Sequence, residues 1–246
     1  MRRQAVLATL SLTAALTWGI GGGVASAQDG DPCASPPPGE IVGTNGNDVL
    51  VGTNGPDVIV ARGGNDTVLA KGGDDLICGG LGNDVINAGS GDDTIAADDL
   101  QFFGDPNAAG GNDTVIAGDG NDEILAGPGN DTVIAGRGND FVAAAQGNDI
   151  VSAGAGDDTA IGGFGRDVLN GQSGDDVLAG GFASDIVLGG PGDDTLIGDI
   201  PSMSETGLPP TPDPGPNTDT CVGAAGDDAS FLCEINAAVE SIDQPA

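Results

Sequence analysis

GNDTVIAGDGNDEILAGPGNDTVIAGRGND, residues 111–140, places an aspartate at every ninth position: Asp113, Asp122, Asp131 and Asp140. Each follows Gly-Asn, and each has an aliphatic residue two places on (Val115, Ile124, Val133, Val142). A helix would repeat its apolar residues every 3.6 positions, and the glycines would cost it roughly 1 kcal/mol each. The triplets between the glycines, such as Thr114-Val115-Ile116, are β-branched and read as short strands. The Gly-rich hexapeptides read as turns, where glycine adopts backbone angles closed to other residues. The stretch therefore predicts an all-β chain.

The same metre runs outward in both directions. An earlier block carries Asp48, Asp57, Asp66, Asp75, Asp84 and Asp93, and the later block continues through Asp149, Asp158, Asp167, Asp176, Asp185 and Asp194. All spacings within a block are nine, and the single break, Asp93 to Asp113, is twenty. Eleven residues, ADDLQFFGDPN at 97–107, are thus inserted as a loop. Glycine stands two places before the aspartate in fifteen of the sixteen units, with Ala183 the exception. Two places after it the residue is apolar every time.

A strand of three residues cannot stand alone, so units must stack. Two units per turn give an 18-residue coil with two strands and two turns, and successive coils pair as parallel strands about 4.8 Å apart. Val115, Val133 and Val151 then line one inner face, opposed by Ile124, Val142 and Ala160. The third residue of each triplet, Ile116 or Ile134 for example, points outward and gives both sheets apolar strips.

Stacking also lines the aspartates up in two files. At about 5 Å and an effective dielectric of 20, each neighbouring pair would cost roughly 3 kcal/mol. Summed along both files, that penalty rivals the stability of an ordinary domain. A hard divalent cation removes it. Calcium takes six to eight oxygens in flexible geometry, from carboxylates and from the carbonyls that Gly-rich turns expose, whereas magnesium demands a stricter octahedron. Bridging each unit to the next but one offers 12 sites within the two blocks, or 14 if the insertion bulges outward and the stack continues. All sixteen repeat aspartates are therefore candidate calcium ligands.

The motif G-x-G-N-D-x-[VIL]-x, as in Gly118-Asp119-Gly120-Asn121-Asp122 and Gly136-Arg137-Gly138-Asn139-Asp140, resembles the haemolysin-type (RTX) calcium-binding nonapeptide repeat. The resemblance spans residues 43 to about 197. It implies a right-handed parallel β-roll with calcium between the turns and a chain that is disordered until it meets extracellular calcium. The protease, lipase and pore-forming domains of larger members are not expected here, so their activities do not carry over. The leading Gly-Gly pair is degraded at Gly43-Thr44, Ala61-Arg62 and Ala70-Lys71, and Pro56, Arg166 and Ser184 replace the usual Asn or Asp before the aspartate. Those sites are expected to be weaker.

The flanks suggest a secreted protein. Residues 1–27 read as a signal peptide, with Arg2-Arg3, an apolar run and Ala25-Ser26-Ala27 as the cleavage site. Its removal takes two of the 6 bases and none of the 38 acids, leaving a charge of −34. Such a surface excludes nucleic acid and anionic lipid as partners and attracts cations, and no later stretch is long enough to span a membrane. Residues 28–42 form a Pro-rich segment with a first half-strand, 43–199 the roll, 200–220 a Pro-rich linker and 221–246 a cap with a degenerate repeat on Asp228.

The chain has no histidine, which removes the usual general base and zinc ligand, and Arg62, Lys71, Arg137 and Arg166 are scattered in the repeat. A non-enzymatic protein follows. The competing reading is an adhesin-like or matrix module that uses the roll as a rigid scaffold, with the apolar strips serving self-association or a surface partner. Four cysteines in a secreted chain favour disulfides. Sequence leaves the pairing open, and Cys221–Cys233 with Cys33–Cys78 is favoured.

Overall fold

The computed structural model describes residues 33, 40–98, 110–199, 220–223 and 229–231. The signal peptide, most of the segment before the roll, the insertion beyond Asp98, the linker and most of the C-terminal cap lie outside the described residues. What is described is a right-handed parallel β-roll with no helix, and hence no helix long and apolar enough to cross a membrane.

Strands alternate between two sheets, one of ten strands and one of nine, each strand pairing in parallel with the one two units away. The register is constant. Val133 of strand Thr132–Arg137 pairs with Val115 on one side and Val151 on the other, and Val142 pairs with Ile124 and Ala160. Across the insertion the stack is unbroken, since Ile86 pairs with Val115 and Ile95 with Ile124. The half-strand Ile41–Val42 pairs with Ile59 and Val60. At the other end Thr220–Val222 and Ala229–Phe231 add further rungs.

The aliphatic residue two places after each aspartate points inward as expected. From Ile59 to Leu196 these side chains are all but sealed from solvent. Most strands, however, run six residues rather than three. The extension brings a second inward position, four after the aspartate, where alanine recurs (Ala117, Ala126, Ala135, Ala144), each fully buried. Large and small inward side chains thus alternate along the six-residue strands. Ala97, counted with the insertion on sequence alone, fills one of these slots and is fully buried.

The outer faces differ between the sheets. On the ten-stranded sheet Val60, Cys78 and Ala96 are buried, and Cys78 is joined to Cys33 across a Cα–Cα distance of 5.8 Å. On the nine-stranded sheet Val49, Val85, Ile116, Ile134, Ile150 and Ile186 remain open to solvent. Cys221 is also disulfide-bonded, while its expected partner Cys233 lies outside the described residues.

Candidate metal centre

The aspartates stand where one strand of the coil begins after a Gly-rich turn, and stacking sorts them into two files of eight. From Asp66 to Asp194 they are only 1–3 % exposed, whereas the first members, Asp48 and Asp57, are half-buried. The two oxygens of each carboxylate have different surroundings. In all fourteen steps along the files, Oδ1 accepts the backbone N–H of the aspartate one coil earlier, at 2.7–2.9 Å. The Oδ2 of every aspartate from Asp66 to Asp194 is buried with no hydrogen-bond partner.

Fourteen orphaned carboxylate oxygens in a phased stack are the feature to be explained, because a buried acceptor left unpaired costs on the order of 1–3 kcal/mol, more when charged. In the protein alone the consequence is a shift toward the neutral form. Burial, opposed by the backbone hydrogen bond and reinforced by neighbouring carboxylates, pushes Asp84, Asp122 and Asp158 up to about 7 and Asp131 to about 8. Where glycine stands five places before the aspartate, Oδ2 lies against it: a Cβ built on Gly79 would lie 2.7 Å from the Asp84 Oδ2, and one on Gly162 2.5 Å from the Asp167 Oδ2. Turn carbonyls project across the same gap, since a Cβ on Gly136 or Gly138 would collide with the carbonyl oxygens of Gly118 and Gly120 one coil back.

The oxygens that such a gap could offer a cation are thus carboxylate oxygens of stacked aspartates and backbone carbonyls. Among the described residues no three His, Cys, Asp or Glu converge on one point. An all-oxygen set of low carboxylate count, in turns that can adjust, fits calcium and does not fit zinc or other metals that require nitrogen or sulfur.

The residue just before each aspartate has a separate task. Its side-chain oxygen accepts the N–H of the equivalent residue one coil later: Asn121 serves Asn139, Asn139 serves Asp157 and Asp157 serves Asp175, at 2.8–3.0 Å. These side chains are exposed and either Asn or Asp suffices, which explains why the two alternate freely. Pro56 and Arg166 have no such oxygen, and their positions interrupt the ladder. This second ladder was missed in the sequence. Its only signal was the restriction of the position to residues with a short-armed oxygen.

A further buried acid, Asp98, lies outside the metre. It is 3 % exposed, and both its carboxylate oxygens face the Gly111 N–H at 3.2 and 3.3 Å. Burial, then the charge of Asp113, pushes it up to about 8. Among the described basic residues, Arg62 and Lys71 donate to turn carbonyls, and Arg137 lies 3.5 Å from Asp119 on an exposed edge.

The family profile described as RTX calcium-binding nonapeptide repeat (4 copies) matches residues 42–77, 71–99, 107–142, 134–169, 143–178 and 170–200. No curated protein matches the chain.

Proposed function

The chain belongs to the RTX calcium-binding nonapeptide repeat family, and from that premise we propose that it is a secreted, non-enzymatic protein whose roll folds as calcium enters the gaps between stacked turns. The repeat aspartates from Asp66 to Asp194 are the ligands in this reading, with Asp48 and Asp57 as the heads of the two files. One observation carries it: the buried, partnerless Oδ2 of fourteen successive aspartates. Calcium concentrations outside a cell neutralise the files and let the thin core close, so binding and folding are one equilibrium. Sites in such extracellular modules commonly work at 10⁻⁴ to 10⁻³ M, and the chain would stay unfolded before export.

Far-ultraviolet circular dichroism during calcium titration of the chelated protein tests this. Strand signal should be largely absent in chelator and rise steeply over the millimolar range. A chain that keeps its full strand signal in excess chelator and gains nothing on titration refutes coupled folding.

A second reading, the roll as scaffold for recognition, draws on the open face of the nine-stranded sheet. The leading triplets of eight of its strands, from Val49–Val51 to Ile186–Leu188, each place two residues outward, none of those sixteen is ionisable, and the charged Asp119 and Arg137 lie at the far ends of their strands. The occupant that suits it is a second copy of the chain. A flat face ruled at one coil spacing is matched in pitch by another face of the same pitch, and sheets so apposed interdigitate about 10 Å apart. Sedimentation in saturating calcium should show a dimer that Ile134→Lys with Ile150→Lys dissolves. A strict monomer at high concentration excludes it.

A further inference from the structure

The two file heads differ from every later member. The Oδ2 of Asp48 accepts the backbone N–H of Thr44 at 2.6 Å and its hydroxyl at 2.8 Å. The Oδ2 of Asp57 accepts the same pair of groups from Thr53, at 2.6 and 3.0 Å. Neither oxygen is orphaned, in contrast to the fourteen that follow.

One coil further on, the repeat position of Thr44 and Thr53 is occupied by Arg62 and Lys71. Both reach back across the gap to the turn just described. The Arg62 guanidinium donates to the Gly43 carbonyl at 3.1 Å, and the Lys71 ammonium donates to the Gly52 carbonyl at 2.6 Å. Gly43 and Gly52 open the very turns that end in Asp48 and Asp57. No other unit places a lysine or arginine at this position. The same pair of devices, a threonine on the carboxylate and a cation on the carbonyl, is therefore built twice, once on each side of the roll.

We propose that the first gap of each file is closed by the protein's own groups and takes no calcium. Threonine satisfies the carboxylate oxygen that an ion would ligate. Arg62 or Lys71 engages a turn carbonyl and brings one positive charge into a gap where two carboxylates stack. This rests on the calcium reading of the later gaps and changes what it implies for the ends. Of the fourteen gaps, given by fourteen carboxylate–amide steps, only the last twelve would load. Solenoids need atypical terminal repeats, because an end coil has a neighbour on one side only. Here that end would be a metal-independent platform. It is tied further by Cys33–Cys78, and it offers the next coil a formed strand edge before the first ion arrives.

Native mass spectrometry of the intact mature chain in saturating calcium, paired with hydrogen exchange in chelator, tests the proposal. The wild type should retain twelve ions and keep slow exchange over residues 41–71 when calcium is removed. Restoring glycine with Thr44→Gly, Thr53→Gly, Arg62→Gly and Lys71→Gly should raise the count to fourteen and abolish that protection. Fourteen ions in the wild type overturns the proposal and leaves the calcium reading intact, whereas retention of none removes the premise on which both rest. If the fourfold variant fails to fold, Arg62→Met with Lys71→Met decides: lost protection in chelator supports the proposal, and undiminished protection overturns it.

Discussion

Each repeat aspartate divides its work between two oxygens, and the division separates substitutions that otherwise look alike. In Asp131, Oδ1 accepts the N–H of Asp113 at 2.8 Å while Oδ2 is buried with no hydrogen-bond partner, the oxygen assigned to calcium in the proposed reading. Asp131→Ala should therefore empty the two gaps that flank it, lowering the bound calcium found by elemental analysis and moving the folding midpoint to higher calcium. Asn130 sits beside it but is exposed: its Oδ1 accepts the backbone N–H of Asn148 at 2.8 Å and the Asn148 side-chain amide at 3.0 Å, and its own amide donates to Asn112 Oδ1 at 3.3 Å. Asn130→Ala should leave the calcium count unchanged and cost about 1–3 kcal/mol, the net worth of its exposed side-chain hydrogen bonds. Ala183 is the converse case. It stands where every other unit has glycine and is held at φ 85°, a conformation that costs a residue with a Cβ roughly 1–2 kcal/mol. Ala183→Gly should raise the thermal midpoint of the calcium-loaded protein. An unchanged or lower midpoint would mean that the alanine methyl packs well enough to offset the strain.

At the scale of the strand, stability rests on alternating ranks of large and small inward side chains. Ile124 is fully buried between Ile95 and Val142 in register, and Ile124→Ala should cost about 2–5 kcal/mol through lost burial and a cavity. Ala135 is equally buried in the small rank. Ala135→Leu should also destabilise, by about 1–3 kcal/mol, because the sheets cannot part to admit it. Ile116→Ser lies on the open outer face and should change the melting of a monomer little. The contrast also shows what was legible in the sequence. The large rank is carried by valine, isoleucine and leucine at a fixed offset from aspartate, a signal no turn would produce. The alanine rank is followed at once by glycine, so Ala135-Gly136 reads as the start of a turn when it is still strand. The stacked files could be derived from spacing alone. The unequal use of Oδ1 and Oδ2, the ladder on Asn121 and Asn139, and the locks on Asp48 and Asp57 depend on where an oxygen points across 18 residues, and no local pattern encodes that.

For the whole molecule, the decisive feature is that sixteen of the 38 acids stand in two lines, and it makes the response to acid depend on whether metal is bound. Without metal, burial raises the file carboxyls from 3.8 to about 7 at Asp84 and Asp149 and to about 8 at Asp131. A group with a raised folded value binds protons more readily in the roll than in the unfolded chain, so folding is favoured as protons become available. That contribution is complete below about 4 and is lost as pH climbs through 6 to 8. In chelator, lowering the pH from 8 to 5 should therefore restore strand signal in circular dichroism. With calcium the sign reverses, because the same oxygens must shed protons to bind the ion and acid competes for them. Calcium-loaded protein should then need more calcium at pH 5 than at pH 8 to reach half folding. Opposite slopes from one set of side chains would identify the files as the element that both ligands neutralise. Parallel slopes in the two conditions would place the stability elsewhere than in the aspartates.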